Sequence, residues 1–136
     1  MKNFKALYLP IGVPTFHKES VDQQFNLSKS MLSSVSADIE MPEAPLLTIP
    51  DLLNFITDKE CDLIILQNNA FANSEYTSEI LRIIDADVLL WTLQEPVIDG
   101  GRLRLNSLTG AYSAGNLMHH LGKVNFEYIW GAPTDE

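Results

Sequence analysis

The alternation of buried-strand and amphipathic-helix patterns along the chain is the feature that most constrains its fold. The strand patterns are short apolar runs at 5–9, 37–41, 62–66, 87–93 and 126–130. The helical patterns separate them, at 19–35, after Thr48, after Ser74 and at 110–121. Because continuous apolar strands with helical crossovers indicate a parallel sheet covered on both faces, we expect an α/β fold. The predicted architecture is a flavodoxin-like, doubly wound, three-layer sandwich with about five strands in the order 2-1-3-4-5.

Individual residues predict where several of these elements begin and end. Pro10 is expected to stop the first strand, because proline cannot donate a backbone hydrogen bond. Thr48 and Asp51 have the spacing of a helix-capping pair, and Ser74 is expected to cap the third helix. Gly122 is expected to end the fourth helix.

Length, charge and cysteine content exclude several classes of protein. The 136 residues fit one domain covering 1–136. A formal net charge of −9 argues against nucleic acid and anionic membranes as partners, because neither favours an acidic surface. The single Cys61 excludes an internal disulfide. Residues 1–15 do not resemble a signal peptide, and no apolar run approaches transmembrane length, so a cytoplasmic protein is expected.

The loop after the fourth strand is the strongest candidate for function. It has about sixteen residues, and a loop this long inside a compact domain is usually functional or disordered. A Gly-Gly pair and two arginines alternate there with apolar residues, namely Val97, Ile98, Leu103, Leu105 and Leu108. We expect this apolar set to form an interface, with Leu103 and Leu105 on one face, and to drive self-association.

Three loops should meet at the carboxyl edge of the sheet, where doubly wound folds bind ligands: 10–18, 67–74 and 94–109. Glu95, Phe71 and the 12–17 segment are expected to converge there on one crevice. Glu95 would contact a ligand or, as the favoured interpretation, form a salt bridge with Arg102 or Arg104. Phe71 would stack on a sugar or fill its own loop. Gly100 and Gly101 before Arg102 would cradle an anion or, as favoured, form a tight turn.

Familiar catalytic and metal-binding motifs are missing from the sequence. There is no Gly-x-Gly-x-x-Gly or Walker-type phosphate loop, and amides at 67–69 stand where a receiver domain needs a carboxylate. Ser113 lies in an incomplete nucleophile motif inside a predicted helix. His119 and His120 are adjacent, so they point about 100° apart and cannot chelate one ion, and His17 is isolated. Cys61 is interpreted as a small buried apolar residue. No catalytic or metal-binding residue is predicted.

Two segments resemble a known family: residues 91–96 (WTLQEP) and 100–110 (GGRLRLNSLTG). They are similar to the N-terminal domain of the L-fucose isomerase and L-arabinose isomerase-like superfamily, most closely to the fucose-isomerase-like proteins. A loop with Asn69 and Phe71 and a terminal Tyr-Ile-Trp-Gly strand fit more loosely. The resemblance implies aldose–ketose isomerases, which use a divalent metal, often manganese, to polarise sugar oxygens while carboxylates move the proton. In the family these ligands lie in later domains, to which nothing in this chain corresponds.

The family's N-terminal domain helps to assemble oligomers and can close over a neighbouring subunit's active site. The resemblance therefore implies a sugar ligand, a homo-oligomer, and partners in a neighbouring subunit or in missing C-terminal domains. The positions that match as substrate-side or interface contacts are Phe71, Gln94, Glu95, Arg102, Asn106 and Ser107. The chain would be a fragment or a stand-alone remnant of an isomerase, inactive by itself and without a cofactor of its own. The alternative is a small flavodoxin-like binding or regulatory module with no isomerase role; the sequence does not indicate which sugar is used.

Overall fold

The computed structural model of the protein describes residues 3–122 and 125–135. Its strands are β1 (Ala6–Ile11), β2 (Ile39–Glu40), β3 (Leu63–Asn68), β4 (Asp87–Thr92) and β5 (Phe126–Trp130). Its helices are α1 (Lys18–Val35), α2 (Ile49–Ile56), α3 (Ser74–Ile83) and α4 (Ser107–Leu121). The strands form one sheet in the order β2-β1-β3-β4-β5, and all four neighbouring pairs are parallel. The predicted α/β fold and strand order are confirmed.

The side chains of alternate residues in the central strands belong to two hydrophobic cores, one on each face of the sheet. Leu7 and Leu9 of β1 belong to the core that α2, α3 and α4 cover, whereas Tyr8 belongs to the core under α1. All three side chains are at most 1% exposed. Tyr8 also donates a hydrogen bond to Gln67, whose amide donates to Ser28 of α1 at 2.9 Å. The sheet is thus the middle layer of a three-layer sandwich.

Pro10 lies inside β1, and the expectation that it stops the strand is wrong. The neighbouring β2 is only two residues long and pairs with Ala6 and Leu7, so no β2 backbone lies beside Pro10. On that side Pro10 contributes its carbonyl oxygen, which accepts a hydrogen bond from the backbone N–H of Leu46 at 2.8 Å. A proline is tolerated there because its missing donor is not needed.

Helix caps agree with the sequence at two of three predicted positions. The Thr48 side chain accepts from the backbone N–H of Asp51 at the start of α2, and Gly122 ends α4 in the left-handed region with φ of 62°. At α3, however, the cap is Asn73 rather than Ser74, since the Asn73 side chain accepts a hydrogen bond from the backbone N–H of Glu75. Either residue type can cap a helix, so the sequence pattern is ambiguous by one position.

The edge strand β5 is unusually exposed for an apolar strand. Phe126 is half-buried, and the four residues after it are exposed, including Tyr128, Ile129 and Trp130 at 48%, 44% and 58%. Between β5 and α4 lies an apolar groove of about 390 Å³ whose wall includes Tyr112. We call the groove and the exposed residues of β5 together the α4/β5 surface. The groove is lined by Leu90, Leu108, Ala111, Tyr112, Gly115, Asn116, His119, Phe126 and Tyr128. Exposed apolar area of this kind is typical of an interaction surface.

Two glycines of α4 face the sheet with very different clearances, which gives a direct test of the packing. A Cβ at position 110 would lie 2.5 Å from the side-chain nitrogen of buried Asn68 and 3.0 Å from the backbone nitrogen of Ala72. A Cβ at 115 would approach no atom closer than the Leu90 side chain at 3.5 Å.

We therefore expect Gly110→Ala to lower the free energy of unfolding by about 1–3 kcal/mol through overpacking. Gly115→Ala should raise it by about 0.5–1 kcal/mol, because alanine favours the helix interior. Urea denaturation of both variants measures this. Two stabilising substitutions would contradict the described approach of α4 to β3.

Candidate functional site

The loops after β1, β3 and β4 are joined to one another at the carboxyl edge of the sheet. The backbone N–H of Val13 donates to the Phe71 carbonyl at 2.7 Å, and the Phe71 N–H donates to the Leu105 carbonyl at 2.8 Å. The N–H of His17 donates to the Arg104 carbonyl at 3.1 Å. The three loops meet as predicted, and the Phe71 backbone is hydrogen-bonded to both of the other loops; the crevice expected between them stays a prediction. We call this region the carboxyl-edge site.

Glu95 holds the third loop in shape through backbone contacts. One carboxylate oxygen accepts from the N–H groups of Arg104 and Leu105 at 2.9 and 3.2 Å, and the other accepts from the N–H of Asn106. These donors lead into α4, whose amino end carries a partial positive charge that favours a carboxylate. The favoured salt bridge with the side chain of Arg102 or Arg104 is wrong, because the Arg104 guanidinium pairs instead with Asp99 at 3.4 Å.

Asn106 and Ser107 join the loop to α4. Asn106 precedes the helix with φ of 53°, in the left-handed region that asparagine tolerates better than most residues. The Ser107 hydroxyl donates to the Asn68 carbonyl and accepts from the N–H of Leu93 at 2.9 Å, and the residue is 1% exposed. Because α4 begins at Ser107 rather than at Gly110, the loop is shorter than expected. Ser107 ties β3 and β4 to α4 and has no surface with which to touch a sugar.

The apolar residues of the loop divide into one buried residue and a set of exposed ones. Leu105 is fully buried in the core under α1, together with Trp91 and Leu93. The expectation that Leu103 and Leu105 share an exposed face is therefore wrong, and replacing Leu105 would destabilise the core rather than only weaken an interface. The exposed residues are Val97, Ile98, Leu103 and Leu108, at 44%, 80%, 43% and 45%.

Phe16, Phe71 and Arg102 form an aromatic and cationic cluster at this edge. The Phe16 and Phe71 ring centroids are 6.2 Å apart, and both residues are half-buried. The guanidinium carbon of Arg102 lies 4.8 Å from the Phe16 ring centroid, a cation–π distance. Phe71 thus both supports its loop and exposes part of its ring, while Gln94 is exposed. Sequence reasoning missed Phe16, although its place in the loop after β1 is the clue that would have identified it.

Buried polar side chains without a hydrogen-bond partner among the described residues concentrate beneath these loops. Asn68, Asn69 and Thr92 are all 0% exposed, and none of their side-chain polar atoms has a partner in that part of the chain. They lie where β3 and β4 end. Since native proteins leave few buried polar groups unpaired, this concentration distinguishes the carboxyl edge as the polar end of the core.

His17 has a local structural role, and Cys61 lies away from the carboxyl-edge site. The His17 ring caps α1 by accepting from the Ser20 N–H, and its other nitrogen lies 3.1 Å from Glu19. Burial raises the pKa of the half-buried Cys61 thiol, which disfavours the reactive thiolate. Cys61 lies at the amino edge, beside a cleft of about 480 Å³ that also borders Lys5 and Asp62. That cleft is at the opposite end of the sheet from the carboxyl-edge site.

Within residues 3–122 and 125–135 no group of three or more His, Cys, Asp or Glu side chains is placed to hold a metal ion. The described residues therefore do not fit the divalent metal that the family resemblance implies. The carboxylate nearest the loop junction, Glu95, is occupied by backbone N–H groups. The aromatic rings, the Arg102 guanidinium and the Gln94 amide of the site could contact a ligand by stacking and by hydrogen bonds. No helix in the described part of the chain could cross a membrane.

Comparison with known proteins identifies similar sequences. No protein-family model matches the chain. The sulfoquinovose isomerase of Clostridium sp. (strain MSTE9) is 53% identical over 137 residues, which cover 100% of this chain and 30% of that protein. Sulfoquinovose isomerases of Priestia aryabhattai and Alkalicoccus urumqiensis are 32% and 33% identical, over 100% and 96% of this chain and 31% and 29% of their own lengths. The chain thus spans about 30% of the curated relatives it matches, and it is similar to part of a sugar isomerase.

Proposed function

We propose that this chain forms the N-terminal, substrate-side domain of an aldose–ketose isomerase of the fucose-isomerase-like superfamily that acts on sulfoquinovose. The observation that carries the proposal is 53% identity, along the whole chain, to part of a sulfoquinovose isomerase. The resemblance of residues 91–96 and 100–110 to fucose-isomerase-like proteins supports the same assignment. No specific observation favours a regulatory module without an isomerase role.

The carboxyl-edge site supplies the substrate side of the active site in this proposal. The half-buried rings of Phe16 and Phe71 offer flat apolar surface, on which the C–H face of a sugar ring can stack. Gln94 adds hydrogen-bond donors and an acceptor for sugar hydroxyls, and Arg102 adds a positively charged donor group. Glu95 acts indirectly: by binding three backbone N–H groups, it fixes the loop that carries Arg102.

Proton transfer between sugar carbons requires groups from another part of the isomerase. Such a transfer would need a positioned base and, as the family resemblance implies, a divalent metal such as manganese that would stabilise developing negative charge. The described residues offer no group of three or more His, Cys, Asp or Glu side chains for such a metal, and in this proposal the metal and the base come from a domain outside the matched part. The isolated chain is expected to show no isomerase activity.

The α4/β5 surface supplies the contact with the rest of the isomerase subunit. Its exposed apolar side chains, with Tyr112 at 72% and Trp130 at 58%, need a cover in an assembled enzyme. The relatives have most of their length outside the matched part, which provides such a cover.

The proposal also includes a homo-oligomer in which the carboxyl-edge site faces a neighbouring subunit. The proposed location of the isomerase is the cytoplasm, which agrees with the presence of a single unpaired cysteine, Cys61.

A chimaeric enzyme tests this function. In it, the present chain replaces the matched part of the Clostridium isomerase, and conversion of sulfoquinovose to its ketose is followed with manganese present. We expect turnover by the chimaera and none by this chain alone or by the Clostridium protein without its matched part. A chimaera that folds and assembles like the Clostridium protein but gives no ketose would contradict the proposal.

A further inference from the structure

We propose that Arg102 recognises the sulfonate group of the substrate and so gives the isomerase its preference for sulfonated over neutral sugars. This inference rests on the proposed function, because sulfoquinovose carries an anionic sulfonate on its sixth carbon. A guanidinium is well suited to such an oxyanion: its planar N–H groups can donate two parallel hydrogen bonds, and it stays charged at every physiological pH.

The position of Arg102 is set by the aromatic cluster at the carboxyl edge. Its guanidinium lies 4.8 Å from the Phe16 ring centroid, and Phe16 in turn contacts Phe71 at 6.2 Å between centroids. The charged group is therefore held next to the two rings proposed to stack on the sugar. Stacking reduces the conformational freedom that an arginine otherwise loses when it binds an anion.

Among the described residues the Arg102 guanidinium has no ion-pair partner, unlike the other basic side chains of these loops. Arg104 pairs with Asp99 at 3.4 Å, Lys18 pairs with Asp22, and the His17 ring lies 3.1 Å from Glu19. No carboxylate of the described residues lies within ion-pair distance of the Arg102 guanidinium, although the protein has a net charge of −9. A guanidinium that no described carboxylate pairs with, in so acidic a protein, is available for an anionic ligand.

The backbone of the glycine pair does not offer an alternative anion site. The Gly101 N–H donates to the Asp99 side chain at 3.0 Å, and Gly100 has φ of 83°, so the pair forms a tight turn. A Cβ at Gly100 would meet nothing within 4 Å, which shows that no other side chain crowds the turn before Arg102. In this loop, therefore, the Arg102 side chain is the group proposed to bind an anion.

Two substrates separate this role from a structural one. Sulfoquinovose and quinovose, the same sugar without the sulfonate, are compared as substrates of the chimaera and of its Arg102→Gln, Arg102→Lys and Arg104→Gln variants. Arg102→Gln should lower kcat/KM for sulfoquinovose by about 10- to 100-fold, the range expected for hydrogen bonds to a charged group. The same variant should change kcat/KM for quinovose far less. Arg102→Lys should retain part of the preference. Arg104→Gln, the matched control, should leave the ratio of the two substrates unchanged.

Each outcome decides the proposal. An Arg102→Gln variant that loses activity equally on both sugars, or keeps its preference for sulfoquinovose, would overturn the role of Arg102 while leaving the proposed function standing. A parent chimaera that converts neither sugar would contradict the proposed function, and the inference about Arg102 falls with it. Thermal melting of each variant confirms that the compared proteins are folded.

Discussion

Replacing Leu105 by alanine is expected to lower the free energy of unfolding by about 2–5 kcal/mol, the range for removing a large apolar side chain from a core. Leu105 is 0% exposed and lies in the core under α1 with Trp91 and Leu93. Its carbonyl also accepts from the Phe71 N–H, so a loosened Leu105 disturbs two loops at once. Denaturation by urea, followed by circular dichroism, measures the loss.

Leu103 provides the matched control for this experiment. It lies two positions earlier in the same loop and is 43% exposed, so Leu103→Ala should change stability by no more than about 0.5 kcal/mol. Equally small losses for the two variants, of no more than about 0.5 kcal/mol, would show that the loop is not anchored at Leu105. The same result would revive the interpretation in which both leucines belong to an interface.

Replacing Glu95 by alanine is expected to cost about 2–4 kcal/mol of folding free energy. Three backbone N–H groups lose a charged acceptor, and such bonds contribute about 1.5–3 kcal/mol each when fully protected from water. The total is smaller here because Glu95 is half-exposed and the bonds are not additive. Glu95→Gln retains one acceptor oxygen and should lose less. Gln94→Ala, at an exposed neighbouring position, is the control.

Hydrogen exchange tests the local part of this prediction. In the Glu95→Ala variant the amides of residues 104–106 should exchange faster, whereas amides in the middle of β3 should change only by the global loss of stability. Unchanged exchange at 104–106 would mean that the Glu95 carboxylate does not hold the loop. In that case Glu95 would again be a candidate for direct ligand contact.

The fold could be predicted because its information lies in local apolar patterns. The central strands β1, β3 and β4 are built mainly from short apolar runs, and the helices between the strands dictate parallel neighbours. The pattern failed at the end of β3, where Gln67 and Asn68 continue the strand although both are polar. Their burial depends on contacts distant in sequence, such as the bond from Gln67 to Ser28, which no local pattern contains.

The position of the candidate site in the fold could be predicted, but the contacts of its residues could not. The topology alone brings the three loops together, so Phe71, Glu95 and Arg102 were found near the carboxyl edge. The partners of Glu95 could not be predicted, because they are backbone N–H groups that every sequence possesses. Leu105 was misassigned because an extended segment was assumed, whereas the chain turns there into α4.

The most direct test of the central claim, that the carboxyl-edge site faces the sugar, is a crystal structure of the chimaeric isomerase with sulfoquinovose bound. Sugar atoms should lie within about 4 Å of the rings of Phe16 or Phe71, a contact distance. Sulfonate oxygens should lie about 3 Å from the Arg102 guanidinium. A sugar bound with no residue of this edge in contact, or one bound at the amino-edge cleft beside Cys61, would contradict the account.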